Sequence, residues 1–223
     1  MKPISIIMVA CDTVLFQRNI TLAALASIRR FTEGEYELIL VDCGTNTSGG
    51  YRHQWWNVCQ PDQWIQPEKD PGFSAAMNLG VSKSKYPLLV CMHNDVMVHE
   101  GWNPALQKQM ELRPNFLIYP DQMPRPRSEI ESFYNDPDRH NREGYDNAGM
   151  FMVTRENYDK IGGYDEDFTR SLQEKALHSR LNGKLGKFCT VDTFITHISY
   201  TSFRQEELDT ENSQDKKLRE KYK

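Results

Sequence analysis

Short apolar runs alternate with stretches of helical spacing along the first half of the chain. Ile4 to Val9 is apolar, β-branched and short, the pattern of a buried strand. From Gln17 to Phe31, Thr21, Ala24, Leu25 and Ile28 fall on one helical face. Leu38 to Val41 is a second buried-type strand ending at Asp42, and Trp64-Ile65 is a short third. Ser74 is placed to cap a helix running to about Val81, with Phe73, Ala76, Met77 and Gly80 facing inward. Leu88-Leu89-Val90-Cys91-Met92 follows, bounded by Tyr86-Pro87 and ending abruptly in His93-Asn94-Asp95. It reads as a strand buried on both faces. Such β-α-β alternation predicts a parallel sheet with right-handed crossovers.

The second half changes character. Arg113 to Asp146 carries five prolines, many charges and a single convincing strand, Phe116 to Tyr119. An irregular insertion of that length in a compact domain is usually functional or mobile. Gly149 to Val153 returns to strand character. Arg155 to Ile161 is a short helix stopped by Gly162-Gly163. Ser171 to Leu181 is another, stopped by Asn182-Gly183, and Lys187 to Ile195 is a last strand. Beyond Arg204 the tail is charged and polar, a solvated helix or a disordered end.

Composition narrows the class. The 223 residues are 39% hydrophobic, enough for a proper core, and the net charge of −4 gives no electrostatic reason to expect nucleic acid as the main partner. Cys11, Cys43, Cys59, Cys91 and Cys189 are scattered without a CxxC pair. Their usage points to a reduced, cytoplasmic setting rather than a disulfide framework. No apolar stretch approaches a membrane span, and the opening segment reads as a first strand rather than a signal peptide.

Several polar groups sit where an open α/β sheet does its chemistry, just outside the carboxyl ends of its strands. Asp95, directly after a buried strand, can hold a divalent cation with its oxygens; Asn-Asp is also ordinary turn chemistry. Asp42 and Asp12 follow strands and can accept hydrogen bonds from a nucleoside, or simply cap a turn. In Asp70-Pro71-Gly72-Phe73-Ser74, Gly72 permits close backbone approach at a helix start that favours an anion, with Asn78 one turn in. Gly162-Gly163-Tyr164-Asp165-Glu166-Asp167-Phe168 packs acids beside an aromatic, and Gln173-Glu174 opens the next helix. His197 follows the last strand; together with Asp95 it would make a mixed N/O site suited to Mn²⁺ or Mg²⁺.

In this order the pieces resemble glycosyltransferase family 2, the nucleotide-sugar-dependent enzymes of GT-A fold. Ser5 to Val9 is similar to the family's first strand, and Glu37 to Thr45 to its second-strand signature. Gly72 to Gly80 is similar to its Gly-Phe-x-x-x-x-Asn-x-Gly segment. His93-Asn94-Asp95 occupies the place of the metal-binding Asp-x-Asp, and Gly162 to Phe168 matches Gly-Gly-Phe-Asp-Glu-x-Phe. His197 stands where a late His completes the metal site. The resemblance covers roughly residues 3 to 203. Two departures stand out: Gln173-Glu174 replaces the family's Glu-Asp, and the Asp-x-Asp equivalent keeps only its last acid.

The resemblance implies an α/β fold with a mixed, mostly parallel Rossmann-like sheet flanked by helices. It divides residues 1–203 into a nucleotide-binding half, 1–98, and an acceptor-binding and catalytic half, 99–203, followed by a charged tail, 204–223. It implies an inverting glycosyltransferase that moves a sugar from a UDP, dTDP or GDP donor to a hydroxyl of a glycan or other acceptor. Asp95 and His197 would hold the metal. Ala10, Asp12, Asp42, Gly72, Asn78, His93, Asn94 and Gly149 would line the donor and acceptor site. Glu174 would be the base, with Asp165 or Glu166 as substitutes. The acids of residues 165–167 would raise the proton affinity of Glu174, since like charges disfavour ionisation.

Two other classes use related chemistry. A sugar-1-phosphate nucleotidyltransferase favours a Gly-rich, basic loop after the first strand; Ala10-Cys11-Asp12-Thr13 has no basic residue until Arg18. A non-catalytic nucleotide-sugar or glycan-binding module would keep the donor pocket and lack the base, and Gln173 in place of an acid is the feature that favours it.

Overall fold

The computed structural model describes residues 1–11, 15–44, 57, 60–123, 142–143, 149–169, 172–198 and 216–222. The elements are β1 (Ile4–Ala10), α1 (Leu15–Phe31), β2 (Tyr36–Asp42), β3 (Gln63–Ile65), α2 (Phe73–Lys83), β4 (Leu88–His93) and β5 (Val96–Val98). They continue with α3 (Trp102–Leu112), β6 (Phe116–Met123), β7 (Arg142–Glu143), β8 (Met150–Thr154), α4 (Arg155–Ile161), α5 (Gln173–Leu181) and β9 (Gly186–His197).

The strands join one sheet in the order β3-β2-β1-β4-β8-β6-β9-β5, with β7 against β9. From β3 to β4 every pairing is parallel, as the β-α-β alternation predicts. The sheet then turns mixed, because β8 enters antiparallel between β4 and β6. β6 and β9 resume parallel pairing, with a register shift between Pro120 and Asp121.

Alternate residues of a strand face opposite sides of a sheet, and here both sides are buried. Ile4, Ile6 and Met8 of β1 pack with Leu25, Ile28, Trp102 and Leu106 under α1 and α3. Ile7 and Val9 pack with Met77, Val81, Leu177 and Leu181 under α2 and α5. That two-sided burial explains why the strands read as continuous apolar runs rather than alternating ones.

Local differences from the sequence reading have physical causes. Ser74 does not cap α2: Gly72 holds the N-cap position at φ 81° without a side-chain cap. A Cβ at Gly72 would lie 2.6 Å from the Thr169 Cβ, so the loop after Phe168 packs where any larger residue would sit. Ser74 is instead buried and donates its hydroxyl to the Phe168 carbonyl. Phe73 faces inward as expected, half-buried against the core and edge-on to the rings of His93 and Tyr164. α5 starts at Gln173 after Leu172 in the left-handed region at φ 58°.

The charged tail is not wholly solvated. Residues 216–221 form a helical turn, and Lys221 Nζ lies 2.7 Å from Asp165 Oδ2. No helix among the described residues is long and apolar enough to cross a membrane.

Candidate active site

Strand ends build the site. His93 is the last residue of β4, and the Asn94-Asp95 turn links it to β5. β5 pairs antiparallel with β9 so that Val96 stands opposite His197. The Ile198 amide donates to the Asp95 carbonyl at 3.0 Å, fixing that turn against the end of β9. His197 Nε2 consequently lies 3.2 Å from Asp95 Oδ1. The other ring nitrogen of His197, Nδ1, is 3.3 Å from Gln122 Oε1 on β6, a partner that no sequence pattern marked.

Gly149 explains how the two histidines come together. Its carbonyl accepts the His93 amide at 2.9 Å, and a Cβ there would sit 3.1 Å from His197 Nδ1 and 2.8 Å from a Val96 methyl. Any side chain would push on the His197 ring.

His93, Asp95 and His197 each offer a ligand atom, all within 4.8 Å of one another. Asp95 Oδ1 is buried beside the His197 ring nitrogen without a well-aligned hydrogen bond, so it keeps acceptor capacity that a cation would satisfy. Burial favours protonation of Asp95, but the His197 contact and the charges of His93 and His197 outweigh it and hold the carboxyl below its usual range. Burial likewise works against a charged His93, yet the Glu174 hydrogen bond and the Glu174 and Asp95 charges raise its proton affinity. Two imidazoles and a carboxylate suit Mn²⁺ and leave coordination positions open to oxygen ligands. The residues fit a divalent cation.

Glu174 joins this group. Its Oε1 is 2.8 Å from His93 Nε2, with both side chains about one-fifth exposed. The reading in which neighbouring acids face Glu174 gives way here. Asp165 turns instead to Arg180 NH2 at 3.4 Å, Lys221 Nζ at 2.7 Å and the Tyr222 hydroxyl at 2.6 Å. Glu166 accepts from Asn78 Nδ2 at 2.9 Å. Both acids are thus engaged by other groups of the protein, Asp165 by three of them. Gln173 Oε1, beside Glu174, is buried without a hydrogen-bond partner.

Other sequence candidates are engaged by the protein itself. Asn78 Oδ1 accepts from the Tyr158 hydroxyl at 2.7 Å and the Tyr164 amide at 3.0 Å, while Nδ2 also donates to the Tyr164 carbonyl. Its amide ties α2 to the loop after α4, which uses the capacity a diphosphate would need. Asn94 Nδ2 donates to Thr21 on α1 at 2.8 Å. Asp42 is buried, its Oδ2 accepting from Gln66 Nε2 at 2.9 Å and Trp64 Nε1 at 3.3 Å. Ala10 closes β1 with its carbonyl bonded to the Cys43 amide. Gly72 packs on Thr169, and Asp12 lies outside the described residues.

A mixed sheet with a cation-competent cluster at the ends of β4 and β9 has the architecture of the GT-A fold. Residues 5–177 match the family model Glycosyl transferase family 2, and the chain belongs to that family. Similar solved structures include GalNAc-T7 with UDP, GalNAc and Mn²⁺, at 13% identity and TM-score 0.66, covering 88% of this chain and 44% of that one. The mannosyltransferase PcManGT from Pyrobaculum calidifontis, in complex with GDP-Man and Mn²⁺, is similar at 12% identity and TM-score 0.69, covering 89% and 57%. S. aureus TarS 1-349 is similar at 12% identity and TM-score 0.62, covering 88% and 60%. The chain thus spans roughly half the length of these structures. No curated protein matches it significantly by sequence.

Proposed function

We propose that the protein is an inverting glycosyltransferase that moves a sugar from a nucleoside diphosphate donor to an acceptor hydroxyl. The observation that carries this reading is the convergence of His93, Asp95 and His197 within 4.8 Å, with Glu174 on His93 at 2.8 Å. His93, Asp95 and His197 would hold Mn²⁺ or Mg²⁺, and that ion supplies charge neutralisation for a leaving diphosphate.

The chain's own residues do the rest. Glu174 accepts the proton of the attacking hydroxyl. A single carboxylate on the face opposite the leaving group suffices for inversion through an oxocarbenium-like state. Gln173 Oε1, buried and unpartnered, is an acceptor for a substrate hydroxyl beside the base. Phe73, edge-on to His93, helps fix the orientation of that ring. Residues 1–98 would carry the donor nucleoside at the ends of β1 and β2, and residues 99–203 the acceptor side. UDP, GDP and dTDP sugars are the donors to test, with a glycan or other hydroxyl compound as acceptor and a cytoplasmic setting. Nucleic acid and a membrane are not among the proposed partners.

A second reading of Glu174 rests on the same contact. Metal-bound histidines usually donate their second ring nitrogen to a carboxylate that orients them. In that case Glu174 positions His93 and its loss weakens metal affinity together with transfer. Hydrolysis of a panel of nucleotide sugars, with and without Mn²⁺, tests the function itself. Mn²⁺-dependent release of the nucleotide from one donor supports it; tight binding without any turnover, with or without candidate acceptors, identifies a binding module instead.

A further inference from the structure

Cys11 and Cys43 stand one residue beyond the ends of β1 and β2. Those strands are parallel, with Val9 opposite Val41 and Ala10 opposite Asp42. The Cys43 amide donates to the Ala10 carbonyl at 2.8 Å, so the pairing continues past the last strand residues. Continuing the register sets Cys11 opposite Cys43. Side-chain alternation puts both on one face: Cys43 extends the row of Ile39 and Val41, packing with Ile7 and Val9 in the same core cluster. The Cys11 thiol leans toward β2, donating to the Cys43 carbonyl at 3.2 Å. Neighbouring strands lie about 4.8 Å apart, inside the Cα separation of roughly 4.4–6.8 Å that a disulfide spans. Both residues carry thiols, Cys11 exposed and Cys43 buried.

We propose that Cys11 and Cys43 form a reversible disulfide that ties the carboxyl ends of β1 and β2 together under oxidation by a small-molecule disulfide. The Cys11 thiolate attacks one sulfur of the oxidant, forming a mixed disulfide and releasing the first small thiolate. Cys43 then loses its proton to solvent and attacks Cys11 Sγ. The bond from Cys11 Sγ to the small thiol breaks, and the second small thiolate leaves. Two protein thiols are oxidised and one disulfide is reduced to two thiols.

The order follows from the environments. Burial, with Asp70, Cys11 and Asp42 adding negative charge nearby, pushes the Cys43 thiol up to about 12. Cys11 therefore reacts first, and closure relies on enforced proximity to offset the small thiolate fraction of Cys43. Under the proposed function these strand ends flank the donor nucleoside, so the bond fixes the chain where it must accommodate the ligand. Oxidation then weakens nucleotide binding.

The test treats the full-length reduced chain with oxidised glutathione at mildly alkaline pH, alkylates the remaining thiols and maps the peptides by mass. A linked Cys11–Cys43 peptide, reversed by dithiothreitol, is expected. Cys11→Ser should abolish the link, and Cys43→Ala should leave a stable glutathione adduct on Cys11. A wild-type protein that keeps the adduct without linking, or links Cys11 to Cys59, overturns the proposal. Mn²⁺-dependent nucleotide binding is measured on both forms, and a loss of about tenfold is expected on oxidation, on the scale of one hydrogen-bonding contact. A linked protein with unchanged affinity overturns the regulatory role. If neither form binds any nucleotide while the link forms, the donor reading fails and the thiol pair stands.

Discussion

Two acid-bearing regions invite the same reading from sequence and differ in what surrounds them. In the loop after α4, the Asp165 carboxylate is buried but met by Arg180, Lys221 and Tyr222, and Asp167 by Lys217 and Lys221. Glu166 accepts from Asn78. At the ends of β4 and β9, the buried Asp95 Oδ1 faces the His197 ring without a well-aligned hydrogen bond, His93 joins the same cluster, and Glu174 meets His93. In the first region the charges of Asp165 and Asp167 are matched by protein cations. The second has donor atoms turned toward one another with capacity left over, the condition for taking up a cation and substrate oxygens. Acidity marks a site only where the protein leaves it unsatisfied.

The sharpest break between the regions comes from single substitutions. Glu174→Gln keeps size and hydrogen bonding, so as the base its loss should cut transfer by roughly two to four orders of magnitude. Donor and Mn²⁺ affinity should hold, read by calorimetry beside turnover. If Mn²⁺ affinity falls in parallel with the rate, Glu174 orients His93 instead. Asp165→Asn should leave the rate per folded molecule nearly intact. A rate collapse for Asp165→Asn with wild-type melting would move the base into the acidic loop.

Smaller effects sharpen the comparison. Gly149→Ala places a Cβ against the His197 ring, and displacing a candidate ligand's support should weaken Mn²⁺ affinity about 10- to 100-fold. Electron paramagnetic resonance of free Mn²⁺ reads this directly, and an unchanged titration would show that His197 tolerates the shift. Asp165→Asn should instead cost stability, about 1–3 kcal/mol, for hydrogen bonds to a charged group, read as a shift in the urea midpoint. Deleting residues 216–223 should lower the midpoint in the same direction, since Lys221 and Tyr222 come from that segment.

The pH dependence has a definite sign. Burial favours a protonated Asp165, but its bonds to Lys221 and Tyr222 and the nearby Arg180 charge outweigh it and depress the carboxyl. A depressed acid contributes stability that is fully present above the unfolded carboxylate range and lost as pH falls through its folded value. The gap in stability between wild type and Asp165→Asn should therefore close on acidification and stay flat near neutrality. A gap that widens in acid would contradict this assignment.

The first half of the fold was legible because burial on both faces leaves uninterrupted apolar runs. β1, β2 and β4 are Ile-, Leu- and Val-rich, and α4 ends at Gly162 in the left-handed conformation its glycine permits. The mixed sheet was legible through the family resemblance alone; which strand enters antiparallel is set by long-range contacts that a local pattern does not encode. The same limit applies at the site. Asp95 and His197 stood out as polar groups after strands, whereas the Glu174–His93 contact joins residues 81 apart in sequence. Asn78 and Asp42 have the residue types a nucleotide site uses, while the partners they meet, Tyr158, Tyr164, Trp64 and Gln66, come from elsewhere in the chain and a local pattern does not encode them. Ser74 looked like a cap because a Ser before an apolar run usually is one; Gly72 two residues earlier holds that place.

The central claim is that His93, Asp95 and His197 form a cation site that serves a nucleoside diphosphate. Calorimetric titration of UDP, GDP and dTDP into the folded protein, with and without Mn²⁺, compared with Asp95→Ala of matched melting temperature, addresses it most directly. The account predicts Mn²⁺-dependent binding of at least one nucleotide to the wild type and none to Asp95→Ala. Equal Mn²⁺-dependent binding by the two proteins, or nucleotide binding indifferent to Mn²⁺ in the wild type, would contradict it.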